Sequence, residues 1–164
     1  MRVNFLHREQ KIPASLPEVF AFFSEARNLK NLTPPWLRFE LVEQRERELK
    51  AGTLIRYQLA WNSLRLKWTT RIEEWQPPKL FIDIQLKGPY RLWRHCHSFW
   101  PCDGGTLMKD EVHYALPMGA LGEVIAGKVV RRDLERVFDF RAQQIAAIFP
   151  APPVAHLRSA DANP

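Results

Sequence analysis

The sequence predicts an α+β domain: a curved seven-stranded antiparallel sheet wrapped on one long C-terminal helix, with two short helices after the first strand. Three observations predict it. Between Trp36 and Leu116, apolar residues recur with a period of two in six successive runs. The links between these runs are short and rich in Gly, Pro and Asn, which makes neighbouring runs antiparallel and sequential. From Leu121 to Ile148 the period becomes 3.6. A chain of 164 residues suits one domain, large enough to bury roughly 70% of its unfolded surface.

Residues 2–12 alternate loosely and stop at Pro13, as a first strand does. Ser15-Leu16-Pro17-Glu18 fits a capping box, in which the Ser hydroxyl accepts the Glu18 amide proton and the Glu18 carboxylate reaches back to the Ser15 amide. A helix is predicted from there, with Leu16, Val19, Phe20 and Phe23 at helical spacing. A second short helical piece spans Ala26 to Leu32 and stops at Thr33-Pro34-Pro35. Six strands follow from Trp36: RFELVEQRE, TLIRYQLAW, LRLKWTTRIEEW, LFIDIQLK, RLWRHCHSFW and TLMKDEVHYAL. Their separators are Ala51-Gly52, Asn62-Ser63, Pro77-Pro78, Gly88-Pro89 and Asp103-Gly104-Gly105. In the last helix, Leu121, Val124, Ile125, Leu134, Val137, Phe138, Ile145 and Ile148 mark an amphipathic element. Residues 1–149 form the predicted domain. The tail, 150–164, has little to bury and is predicted to be disordered.

Composition narrows the function. A 46% hydrophobic share with six Trp and ten Phe gives a globular chain enough aromatic material to line a core or a cavity. No apolar run reaches the ~18 residues of a membrane span. The opening MRVNFLHREQ lacks the apolar segment of an export signal, so a cytoplasmic location is expected. The net charge of +6 fits either a solvated basic face or an acidic partner bound through Arg65, Lys67 and Arg71. Without an RNP, helix-turn-helix or zinc-finger pattern, nucleic acid is not expected. Cys96 and Cys102, on one strand, would stand about 20 Å apart and cannot bridge.

Alternation assigns faces. Leu64, Leu66, Trp68, Thr70 and Ile72 share one side of their strand, opposed by Arg65, Lys67, Thr69, Arg71 and Glu73. In WRHCHSFW the inner set is Trp93, His95, His97 and Phe99. Asp103-Gly104 is a two-residue turn signal that registers the next hairpin. Cys102 then pairs with Gly105, Phe99 with Met108, His97 with Asp110, His95 with Val112 and Trp93 with Tyr114, so inner residues meet inner residues. A slip by one would mix the faces.

A buried Asp110 beside His97 favours the charged imidazole while burial opposes it. Such a pair can satisfy itself structurally, contact a ligand or move a proton. His95 and His97 with Asp110 would also make three metal ligands, but HxH with one cross-strand Asp is a weak signal in apolar surroundings. No metal or cofactor is assigned. LFIDIQLK carries two conflicting arguments. Hydrophobicity puts Leu80, Ile82, Ile84 and Leu86 inside; pairing Thr70 with Gln85 and Ile72 with Asp83 puts the polar pair inside. In the last helix Leu134, Phe138, Arg141 and Ile145 share a stripe, where Arg141 is either a side chain snorkelling at the rim or a cationic anchor for a ligand head group.

The element order, together with NLTPPW, WQPPKLFIDIQLKGPYRLWRHCHSFW and MKDEVHYALPMGALG, resembles the START-like or SRPBCC helix-grip superfamily, which includes polyketide cyclase/dehydrase-like proteins. Within it, these elements look like a bacterial ligand-binding subgroup labelled cell-division-inhibitor-like. The resemblance covers about residues 2–149. It implies a deep cavity for a hydrophobic small molecule between sheet and long helix. It also tips Asp83 and Gln85 toward the cavity, and it implies association with an epimerase-like protein. No catalytic residue carries over.

The expected function is binding or transport of a lipid, isoprenoid or aromatic metabolite. Trp68, Thr70, Asp83, Gln85, Trp93, His95, His97, Phe99, Met108, Asp110, Tyr114, Phe138 and Arg141 are the candidate ligand contacts. The alternative is a cyclase or dehydratase in which His97 and Asp110 transfer protons and Tyr114 polarises the substrate.

Overall fold

The computed structural model describes residues 1–44, 48–61 and 63–151. Strand β1 (Asn4–Ile12) leads into helix α1 (Leu16–Phe23), a 3-10 turn at Ala26–Asn28, helix α2 (Leu29–Leu32) and a second 3-10 turn at Pro35–Leu37. Six strands follow: β2 (Glu40–Gln44), β3 (Leu54–Trp61), β4 (Leu64–Gln76), β5 (Leu80–Lys87), β6 (Leu92–Cys102) and β7 (Gly105–Ala115). The last element is helix α3 (Ala120–Ile148). All seven strands form one antiparallel sheet in the order β1-β7-β6-β5-β4-β3-β2.

The predicted register of the β6–β7 hairpin holds along its length, from Cys102 opposite Gly105 to Trp93 opposite Tyr114. The conflict over β5 resolves in favour of pairing. Thr70 lies opposite Gln85, Ile72 opposite Asp83, and on the other edge Asp83 lies opposite His95 and Phe81 opposite His97. Cross-strand pairs share a face, so Phe81 and Asp83 join the inner set, and Leu86 of the apolar row is exposed. A bulge between Ile72 and Glu74 changes the parity of β4 and brings Trp75 inward, where its ring sits 5.2 Å from Phe20.

Three sequence expectations are corrected. Ser15 stands at the N-cap of α1 but makes no side-chain cap bond; Pro17 in the first turn lacks an N–H, and the Glu18 carboxylate bonds nothing there. The second strand starts at Glu40 and not at the predicted Arg38, because Arg38 closes the 3-10 turn of residues 35–37 in the left-handed conformation, with φ at 45°. Leu121, Val124 and Ile125, read as part of the buried stripe of the last helix, are exposed, and only Gly122, Leu134, Phe138, Arg141 and Ile145 of α3 are buried. Of the three, Ile125 lines a cavity beneath the N-terminal half of α3, while Leu121 and Val124 face solvent. Residues 45–46 of the predicted second strand, and 152–164 of the predicted disordered tail, lie outside the described residues.

The core divides along the length of α3. One cluster, with Phe20, Phe23, Phe81, Phe99, Met108 and Ile145, packs α1 and the C-terminal end of α3 onto the sheet. A second, with Trp68, Trp93, Val112, Tyr114, Leu134 and Phe138, lies further up the helix. Gly122 sets the helix start: a Cβ there would fall far inside van der Waals contact with the Pro117 carbonyl.

Candidate functional site

Between the concave sheet face and α3 lies a cavity of about 400 Å³. Its wall is apolar and aromatic: Tyr57, Trp68, Tyr90 and Trp93 come from the sheet side, and Ile125, Ala126, Val130, Leu134 and Phe138 from the helix. The rings interlock. Trp68 stacks on Tyr57 at 5.7 Å and meets Trp93 edge-on at 5.3 Å. At one end the wall turns polar, where Thr70, Asp83, His95, His97 and Arg141 reach the cavity from β4, β5, β6 and α3.

The polar end is a closed ring of contacts. His95 Nε2 lies 2.9 Å from Asp110 Oδ1 and His97 Nε2 lies 3.0 Å from Asp83 Oδ2. The same Asp110 Oδ1 is 2.9 Å from His97 Nδ1, and Asp83 Oδ2 is 3.7 Å from His95 Nδ1. Arg141 completes it: Nε stands 3.4 Å from Asp110 Oδ2 and Nη2 lies 3.3 Å from His97 Nδ1. Phe81 stacks on the His97 ring at 4.2 Å, shielding one face from water. One donor atom from each of Asp83, His95 and His97 lies within 4.8 Å of the other two.

Burial and charge set the protonation states. Burial by itself would raise the Asp110 pKa, but the Arg141 charge and the hydrogen bonds of His95 and His97 hold it well below the ordinary carboxylate range. Burial lowers the pKa of His95, and the neighbouring His97 adds to this. Burial also opposes charge on His97, yet hydrogen bonds to Asp110 and Asp83 outweigh it and the pKa rises. Asp110 is thus an anion, and His95 is the neutral member of the pair. The phenols of Tyr57 and Tyr90 are held neutral, their pKa values raised first by burial.

Of the predicted site residues, Trp68, Thr70, Asp83, Trp93, His95, His97, Phe138 and Arg141 line the cavity. The others stand behind it. Asp110 sits beneath the two histidines. Phe99 and Met108 belong to the core under α1, because two residues along β6 and β7 carries them past the polar end. Tyr114 packs its ring against Tyr90 and Trp93. Gln85 turns to the β5–β6 link, donating to the Tyr90 carbonyl at 2.6 Å and accepting the Tyr90 amide at 3.3 Å. Arg141 is no rim side chain: it is 8% exposed and faces Asp110, because a buried carboxylate on β7 demands a counter-ion from the helix above.

Sequence reasoning missed Tyr57 and Tyr90. Tyr57 lies opposite Trp68 and was accessible by registering β3 on β4. Tyr90 sits in the β5–β6 link, where no period operates. Trp68 Nε1 is buried without a hydrogen-bond partner among the described residues, a donor in a largely apolar wall.

The comparisons agree with this architecture. Among curated proteins there is no sequence match. Solved structures match over nearly the whole chain. The Zhui aromatase/cyclase from Streptomyces superposes with a TM-score of 0.70 at 13% identity, covering 90% of this chain and 93% of that one. A Chromobacterium violaceum protein gives 0.68 at 12%, covering 89% and 97%, and a Thermus thermophilus protein 0.62 at 20%, covering 88% and 99%. At these identities the likeness establishes the helix-grip fold. A family model described as polyketide cyclase/dehydrase and lipid transport matches residues 12–140, and the chain belongs to that family.

Proposed function

We propose that this protein binds a hydrophobic small molecule, of the lipid, isoprenoid or aromatic metabolite class, between the sheet and α3. The observation that carries the reading is the cavity itself: about 400 Å³, walled by interlocked aromatic and aliphatic side chains, with polar groups gathered at one end. That is the usual make-up of a small-molecule pocket, where apolar area supplies affinity and a few polar groups fix orientation. A ligand carrying one oxygen function on an apolar body suits it, because Asp83 and His95 reach the polar end and the Trp68 indole N–H lacks a partner. The resemblance to the cell-division-inhibitor-like subgroup supports the same reading.

The test is titration with an environment-sensitive apolar fluorophore, comparing the native chain with Ala126→Trp, which fills the cavity from α3. Saturable one-to-one binding, weakened at least tenfold in Ala126→Trp at unchanged thermal stability, is the expected result. Equal binding by both proteins would place the probe elsewhere and remove the basis of the proposal.

A further inference from the structure

The polar end of the cavity carries more than a head-group contact needs. His95 Nε2 is committed to Asp110 at 2.9 Å. Its other ring nitrogen, Nδ1, faces Asp83 Oδ2 at 3.7 Å. His97 Nε2 lies 3.0 Å from the same Asp83 oxygen. Three atoms able to ligate a metal, one from each of three side chains on β5 and β6, thus converge at the polar end of the cavity.

We infer that Asp83, His95 and His97 form a binding site for one divalent first-row transition-metal ion, with its open coordination positions facing the apolar cavity. The geometry fits. Such an ion bonds imidazole nitrogen and carboxylate oxygen at about 2.0–2.2 Å, so donors sharing it stand about 3.0–3.6 Å apart. The two separations at Asp83 Oδ2 are 3.0 and 3.7 Å, and the full set spans no more than 4.8 Å. Two imidazoles and one carboxylate are the ligands that zinc and iron(II) accept with positions to spare. Behind them, Asp110 takes the far nitrogen of His95 and reaches that of His97, the carboxylate–histidine–metal arrangement that orients ligand rings.

A metal ion would take the place of one proton on His97. Without a cation, Nε2–H donates to Asp83 at 3.0 Å and Nδ1–H to Asp110 Oδ1 at 2.9 Å. With one, Nε2 is free to ligate, Nδ1 keeps its proton toward Asp110, and Arg141 keeps its ion pair with the other Asp110 oxygen. Once His97 has given up that proton, the two carboxylates outnumber the one guanidinium, and the cation meets a site of opposite charge. This inference goes beyond the binding of a hydrophobic guest and does not depend on it.

The experiment uses the full chain, stripped with a chelator, reloaded with Zn²⁺ alone, desalted and assayed by elemental analysis. About one zinc per chain is expected. Asp83→Asn and His95→Gln should each weaken retention at least tenfold, while His7→Gln, at the surface, leaves it unchanged. Loading with Co²⁺ gives a readout that needs no variant: visible d–d absorption, and paramagnetic broadening of NMR signals from Phe81 and Phe138. Failure to retain zinc would overturn the inference, as would retention undiminished in both variants. Co²⁺ broadening centred on His7 and His113 would do the same.

Discussion

Asp110 is the residue on which the polar end depends. It is buried, ionised, and shared by His95, His97 and Arg141. Removing one member of such a set leaves the others uncompensated out of water. Asp110→Asn, close in shape, is therefore expected to cost about 3–5 kcal/mol by urea unfolding. Arg141→Met should cost a similar amount, since it strands Asp110 instead. A loss under 1 kcal/mol in both would mean that water reaches the cluster. Ser15 gives the opposite case. Because its hydroxyl caps nothing, Ser15→Ala should change stability by less than about 0.5 kcal/mol, where a working N-cap is worth about 1 kcal/mol.

At the scale of elements, α3 has two halves with different tasks. Leu134, Phe138, Arg141 and Ile145 fasten the C-terminal half to the sheet, while Ile125 and Ala126 of the N-terminal half line the cavity. The join to the preceding loop is set by Gly122 against the Pro117 carbonyl. Helix propensity alone favours Gly122→Ala by about 1 kcal/mol. The steric conflict predicts the reverse sign, a loss of about 1–3 kcal/mol in chemical denaturation. How much was legible in the sequence also differs by element. The β6–β7 hairpin could be registered residue by residue, because a turn with one preferred geometry fixes all pairs behind it. On β5, apolar counting pointed to the wrong face, because a row such as Ile82 and Ile84 is tolerated on the convex side while Phe81 and Asp83 answer to cross-strand partners. The N-terminal half of α3 misled by a similar route: Ile125 lines the cavity without being packed, while Leu121 and Val124 are apolar yet face solvent. Arg141 was placed on its stripe, yet its partner lies on another element, which periodicity does not see.

At the scale of the molecule, the aromatic wall has a pH signature. Tyr57 and Tyr90 are kept neutral, their pKa values raised by burial and then by the charges of Asp83 and Tyr114 respectively. In the unfolded chain these phenols ionise near pH about 10. Above that, the unfolded state sheds protons that the folded state retains. Their contribution is therefore intact below pH 10 and is lost as the pH climbs past it. Urea midpoints measured from pH 8 to 11 should fall steeply above 10, and less steeply in Tyr57→Phe. A flat profile in the native chain would show the wall to be hydrated.

The central claim is that the cavity holds a guest. It is tested most directly by purifying the chain without detergent and comparing its mass spectra under native and denaturing conditions. A single reproducible adduct, released on denaturation and absent from Ala126→Trp, is the predicted result. A native chain that carries no adduct, and that takes up none when mixed with lipid, isoprenoid and aromatic extracts, would contradict it.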